Sequence, residues 1–336
     1  MHHYSPTSRR VFLAGATAAL SVGPLSAQSR WDRVADAARA LDQLHGIVIS
    51  HKGQTVLAEA FRGPSLERPA PIKSVSKTIV AALLGAAVDN GDVDSVTARI
   101  SDLAPNLIPA GADPRVASIT LEDLVTLRSG LERTSGANYG GWVSSSNWVA
   151  NALRRPMIAD PGGRMLYSTG SFHVLGAVLS EVTGQSLLQQ ARTRIGIPLG
   201  IDIPAWTRDP QGRYLGGNEM ALSPYSMIRF GEMYRLNGQW RDQQVLSQGW
   251  VNQSLVARTQ SPFSGLAYGY GWFLTQTGDP RIAIARGYGG QIIAVVPDRE
   301  LTIAITSDPT RPARSGGYFG DLMRLIAGII VPATEV

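Results

Sequence analysis

The residues best suited to chemistry begin at Ser74-Val75-Ser76-Lys77. Three positions apart on a helix, Ser74 and Lys77 share one face, so the hydroxyl can stand beside the amine. The residues that follow, Thr78 to Val88, are apolar on nearly every side, and the helix they form is expected to be buried almost all round. A lysine at the head of such a helix is poorly solvated as a cation, which lowers its pKa and lets it act as a base toward serine. Chance places a serine three before one of the three lysines with a probability of roughly 0.25, so the spacing draws its weight from the apolar helix behind it. The ordinary alternative is an N-cap serine with a lysine reaching back to water. Ser76 and Thr78 are competing hydroxyls that point elsewhere. Lys73 reads as a solvated side chain, with attraction of an anionic substrate as its other role.

Two further segments could complete such a site. Pro161-Gly162-Gly163-Arg164-Met165-Leu166-Tyr167-Ser168-Thr169-Gly170 reads as a turn, a short strand and a helix start, which can project the Tyr167 phenol into a cleft. There it would be a phenolate beside an ammonium or would shuttle a proton to a leaving group; an ordinary half-buried tyrosine is the alternative. Arg286-Gly287-Tyr288-Gly289-Gly290-Gln291 leads into the apolar strand Ile292 to Val296. Its glycines let a strand edge approach a substrate, so the backbone N–H groups of Gln291 and Ser74 could hold an oxyanion together, with a plain hairpin turn as the alternative. Tyr288, Gly289 and Gly290 are then candidate substrate contacts. Asn218 and Trp142 are candidates for the pocket wall, against a cap residue and a packed aromatic.

Composition narrows the chemistry. With 336 residues, 44% hydrophobic and 17% charged, the chain can bury a sizeable core as one large or two intimate domains. It has no cysteine, which excludes disulfides, thiolate metal sites and a cysteine nucleophile. The histidines His2, His3, His45, His51 and His173 show no helical metal spacing, so neither a metal nor a cofactor is expected. Basic residues number 31 against 26 acidic, but the arginines are scattered singly, and no nucleic-acid partner is expected.

The elements that must position these residues can be read in outline. Ser8-Arg9-Arg10 before a short apolar run to Val22, then Pro24-Leu25-Ser26-Ala27, has the layout of a twin-arginine signal peptide over residues 1–27. Cleavage after Ala27 and a periplasmic or secreted protein without membrane insertion are expected, leaving one domain over 28–336. A helix from Trp31 to Leu44 precedes a hairpin of Gly46 to Ser50 and Gln54 to Ala60. Helices are expected at Ser74 to Asp89, Thr120 to Arg128, Ser171 to Thr183 and Pro224 to Leu236, each closed by glycine. Late strands are expected at Gly271 to Thr277, Arg281 to Ala285, Gln291 to Val296 and Leu301 to Ser307, with a closing helix from Tyr318 to Ile330. The fold class is therefore α+β: one antiparallel sheet built by both ends of the chain (about 31–73 and 265–336), flanked by helices, with a mostly α region (about 90–264) inserted and a cleft between them.

In order and spacing, SxxK, then Tyr-Ser-Thr, then a glycine-rich strand resembles the serine β-lactamase and DD-peptidase superfamily. Within it the chain is similar to class C-type serine hydrolases, including esterases and 6-aminohexanoate-dimer (nylon-oligomer) hydrolases. Ile119 to Leu131, Gly216 to Pro224 and Tyr268 to Trp272 carry the same resemblance, which runs from about Gly46 to about Ser307. It implies a β-lactamase/transpeptidase-like fold, Ser74 as acylated nucleophile, Lys77 as its base, Tyr167 as proton relay and the Ser74 and Gln291 amides as oxyanion hole. The implied substrate is a small ester, amide or peptide-like molecule. Two positions depart from the pattern: Thr169 stands where such enzymes usually keep Asn, and Tyr288 where they keep Lys or His. Both departures weaken antibiotic hydrolysis more than acyl transfer. A β-lactamase or DD-peptidase and a penicillin-recognising protein with little turnover are the alternatives to an esterase or amidase. No Gly-x-Ser-x-Gly sequence is present to suggest an α/β-hydrolase.

Overall fold

The computed structural model describes residues 1–2, 27–276 and 278–335, so the twin-arginine segment, apart from Ala27, lies outside the described residues. Helix α1 (Ala27–Arg39) buries Val34, Ala35 and Ala38 along one stripe. It stops before the expected Leu44 because that residue opens strand β1 (Leu44–His51), which turns through Lys52 and Gly53, both at positive φ, into β2 (Gln54–Ala60). Helices α2 (Ser76–Asp89), α3 (Leu121–Val125), α4 (Thr169–Thr183) and α5 (Pro224–Arg235) follow. Thr120 caps α3 through a reciprocal bond pair with Asp123, and Gly184, left-handed at φ 64°, ends α4.

Strands β3 (Thr259–Gln260), β4 (Ala267–Tyr268), β5 (Phe273–Leu274), β6 (Ala283–Gly287), β7 (Gln291–Val296) and β8 (Leu301–Ser307) come next, then helix α6 (Tyr318–Leu325). Among the described residues they form one antiparallel eight-stranded sheet in the order β2-β1-β8-β7-β6-β5-β4-β3. The first strand pairs with the last, Ile47 opposite Ile305 and Ile49 opposite Ile303, so both chain ends complete one sheet. Every residue of β7 and β8 is buried, as strands covered on both faces must be. Helix α5 covers one face through Gly231, where a side chain would strike Thr302 and Ile293.

Two expectations need correction. The sheet's far edge begins at Thr259, inside the stretch assigned to the helical region. The expected strand Gly271 to Thr277 also shrinks to Phe273–Leu274, because Gly271 sits at φ 78° and presses against Thr78 and Ala81 of α2. That contact brings the sheet edge against the helix that carries Lys77. A second tie is short: Ala70–Pro71 pairs antiparallel with Ala221–Leu222, so the approach to α2 and the loop before α5 run side by side.

Candidate active site

A tight turn over Lys73–Val75 leads directly into α2, whose residues Ser76 to Ala87 are all buried. The expected helix start at Ser74 is therefore this turn, and it presents the Ser74 hydroxyl to a cavity of about 990 Å³ between the sheet and the helical region. Lys77 is 1% exposed. Its Nζ lies 3.0 Å from Ser74 Oγ, 3.2 Å from Thr169 Oγ1 and 2.7 Å from the Gly217 carbonyl oxygen. These partners are all neutral, and burial pushes the amine down from the usual lysine range to about 7.

The structure brings Tyr167 to the same point. Its ring stacks on Phe273 of β5, Lys77 Nζ stands 5.1 Å from the ring centre, and, like Ser74, it lines the cavity. Burial pushes the phenol above its ordinary pKa, with the nearby Ser74 hydroxyl and the Arg286 charge acting the other way. Tyr167 is therefore a neutral phenol near pH 7, which sets the phenolate form aside. Thr169 and Ser135 complete the cluster: Ser135 Oγ accepts from the Thr169 amide at 2.9 Å and lies 3.0 Å from Thr169 Oγ1.

The glycine-rich segment is placed differently from the expectation. Arg286, Gly287 and Tyr288 line the cavity, and Tyr288 is half exposed at its lip. Gly287 is pressed so closely against the Ile72 carbonyl and Lys73 that no side chain fits there. Gln291, paired across the hairpin with Gly287, is fully buried. Its side-chain amide donates to the Ser307 carbonyl at 2.8 Å and accepts from the Ser307 amide at 3.0 Å, so it braces β8 instead of facing the cavity. Gly289 abuts the Asp308 carbonyl and Gly290 the Tyr318 ring, so both face away as well. Gln291, Gly289 and Gly290 are not among the residues that line the cavity.

Of the two wall candidates, Asn218 lines the cavity, with its Nδ2 donating to Tyr139 Oη at 3.1 Å. Trp142 does not. It is fully buried, donates from Nε1 to the Trp148 carbonyl at 2.9 Å and packs on His173, while Tyr139, a turn earlier, takes the wall position. Lys73 is not simply solvated: its Nζ meets Glu219 Oε1 at 3.2 Å. Sequence reasoning missed Ser135, Arg133 and Glu219, which sit in loops with no period. Only Gly217 and Glu219 fell within a segment singled out for its resemblance.

Sheet, inserted helical region and a Ser74–Lys77–Tyr167 cluster at their junction together define the class: a protein of the β-lactamase fold. The chain belongs to the Beta-lactamase family, whose profile matches residues 32–327. It is 26% identical over 221 residues to a 6-aminohexanoate-dimer hydrolase of Paenarthrobacter ureafaciens, a match spanning 61% of this chain and 55% of that protein. Among solved structures, EstCE1, a hydrolase with promiscuous acyltransferase activity, superposes with a TM-score of 0.76 at 19% identity, covering 90% of this chain and 99% of that one. A penicillin-binding protein homologue from Caulobacter crescentus gives 0.73 at 15%, covering 90% and 97%. At these identities the superpositions carry the fold.

Proposed function

We propose that the protein hydrolyses a small ester or amide through an acyl-enzyme on Ser74. The observation that carries this reading is the buried Lys77 amine, 3.0 Å from Ser74 Oγ and without an acidic partner. In its neutral form Lys77 takes the Ser74 proton as Oγ attacks the carbonyl carbon. The resulting oxyanion is held by backbone N–H groups, assigned in this proposal to Ser74 and Tyr288 because both residues line the cavity and Gln291 does not. As the tetrahedral adduct collapses, Tyr167 gives its proton to the leaving alcohol or amine and is reprotonated from the Lys77 ammonium. Water then attacks the acyl-serine, losing a proton to the same pair, and the acid departs as Ser74 regains its hydrogen. The 6-aminohexanoate-dimer hydrolase relative supports amides as well as esters among the substrates.

One observation favours the β-lactamase or DD-peptidase reading: Arg133, Arg286 and Arg314 line the cavity and, among the described residues, none has a carboxylate partner. Arg286 is held by the Ala313 carbonyl and the face of Phe319. A substrate carboxylate would find these cations although Tyr288 supplies none. Export by the twin-arginine route belongs to the same proposal.

The test is mass spectrometry after fluorophosphonate treatment together with turnover of short p-nitrophenyl esters by wild type and Ser74→Ala. Labelling at Ser74 and loss of turnover in the variant are expected; unaltered turnover would remove Ser74 from the mechanism. A nitrocefin assay separates an esterase from a β-lactamase. Labelling by a fluorescent penicillin without ester hydrolysis would favour a slow penicillin-recognising protein.

A further inference from the structure

Two residues beside the cavity hold backbone conformations that side chains disfavour: Lys73 at φ 51° and Glu219 at φ 66°. They are partners, with Lys73 Nζ at 3.2 and 3.5 Å from the two Glu219 carboxylate oxygens, and each is only partly exposed. Strain of this kind persists where surrounding structure imposes it, and it concentrates at functional sites. Here it falls one residue before Ser74 and two residues after Gly217, whose carbonyl accepts from Lys77.

The loop that contains Glu219 is laced to the start of α2. Met220 donates its amide to Ser76 Oγ at 3.3 Å and accepts from the Ile72 amide at 3.0 Å, and Ser76 Oγ donates in turn to the Lys73 carbonyl at 2.6 Å. On the other side of Gly217, the Gly216 amide donates to His173 Nδ1 at 3.4 Å. Between these anchors two side chains tie the loop: Asn218 donates to Tyr139 Oη at 3.1 Å, and Glu219 reaches back to the residue that precedes the nucleophile.

We propose that Glu219 is a positioning residue: by gripping Lys73 it holds the left-handed loop that sets the Gly217 carbonyl on the Lys77 amine, and so fixes both where that amine points and the pH at which it becomes a base. This rests on the Ser74–Lys77 reading above and deepens it. The carbonyl is one of three acceptors for the three ammonium hydrogens and the shortest of them, so it favours the protonated form. A loop that relaxes withdraws that acceptor, which makes the amine easier to deprotonate and leaves it poorly aimed at Ser74. The titratable and charged groups around Lys77 are Tyr167 ahead of α4, Lys73 on its own segment, Glu219 in the loop, Arg286 on β6 and Tyr268 on β4. None of them gives Lys77 a carboxylate within hydrogen-bond reach.

The experiment compares Glu219→Gly and Glu219→Gln with wild type in the full chain, measuring kcat, KM and the acid limb of kcat/KM on a p-nitrophenyl ester, and Tm. Both variants are expected to lose roughly ten- to a hundredfold in kcat with little change in KM, as a misaimed base should. Their acid limbs are expected to move down by about half a pH unit or more as the carbonyl withdraws. Glu219→Gly is expected to keep or raise Tm, because glycine accepts φ 66° freely, so its loss of rate cannot be a loss of folding. A kcat loss with the acid limb in place would mark Glu219 as merely structural and overturn the proposal, as would unchanged kinetics in both variants. If Ser74→Ala abolishes turnover while the Glu219 variants behave as wild type, the positioning role alone falls; if Ser74→Ala keeps its turnover, the hydrolase reading falls and takes this role with it.

Discussion

Two buried polar clusters lie one turn apart along α4. At Thr169 the helix meets Lys77, an amine with only neutral partners, opening onto the cavity through Ser74. At His173 it meets Asp209, an anion whose oxygens are all engaged: Oδ2 accepts from His173 Nε2 at 3.1 Å, and Oδ1 accepts from the Gln211 and Arg213 amides at 2.9 and 2.8 Å. Burial lowers the His173 pKa, so the ring is neutral near pH 7, and with Nδ1 accepting from Gly216 its proton sits on Nε2. The hydrogen bonds from His173 and from the Arg213 amide hold Asp209 below the usual carboxylate range against the cost of burial. Trp142 and Trp148 close over this second cluster, with ring centres 5.8 and 5.6 Å from the imidazole. Burial is common to both clusters and does not make a reactive group. The difference is the missing counter-charge at Lys77, together with a neighbour that faces a cavity.

The largest effect that should separate the two clusters comes from Lys77→Met. It is expected to reduce kcat/KM by roughly a thousandfold or more, measured with a p-nitrophenyl ester. The same variant should be more stable than wild type at neutral pH. The folded pKa of Lys77 lies near 7, below its unfolded value of 10.5, so between these values the unfolded chain binds the extra proton and folding is favoured as pH rises. The penalty removed by Lys77→Met is thus greatest at pH 7 and below and vanishes by pH 10.5, a gain on the order of 2 kcal/mol after lost hydrogen bonds are discounted. Denaturant unfolding at pH 7 and pH 10 checks the sign.

Thr169→Asp would make the first cluster resemble the second by giving Lys77 a carboxylate. The acid limb of kcat/KM should rise by about one to two pH units, with activity at pH 7 down roughly tenfold or more. An unmoved limb would mean that the missing counter-charge is irrelevant. Asp209→Asn attacks the other cluster: it should cost roughly 2–3 kcal/mol in denaturant unfolding, because a buried donor loses its acceptor, and change kcat/KM at 25 °C by less than about threefold. A large kinetic effect there would dissolve the distinction between brace and base.

The contrast also explains what could be read from the sequence. Strands β7 and β8 and helix α2 were legible because long apolar runs bounded by Gly, Pro and Asp have few other uses, and Ser74, Lys77 and Tyr167 were legible because their spacing is local or repeats a known order. The two-residue strands β3, β4 and β5 carry no period at all. In the run from Gly287 to Gln291 the residues facing the cavity depend on where the hairpin turns, which composition does not fix; the turn closes from Gly287 to Gly290 and sends Gln291 into the core. Trp142 reads equally as wall or core until Trp148 and His173 are seen packed on it. The pairings of Glu219 and Asp209 were invisible for another reason: the partner of Glu219 lies 146 residues away and that of Asp209 lies 36 away, distances that only the fold bridges.

The central claim is that one lysine is a base at neutral pH because it is dry and has no counter-charge, and the chain makes this directly measurable, since it holds only Lys52, Lys73 and Lys77. With the lysine side-chain ε-carbons labelled with carbon-13, an NMR titration should show one resonance moving near pH 7, and that resonance should be missing from Lys77→Met. Three resonances that all titrate above pH 10 would contradict the account.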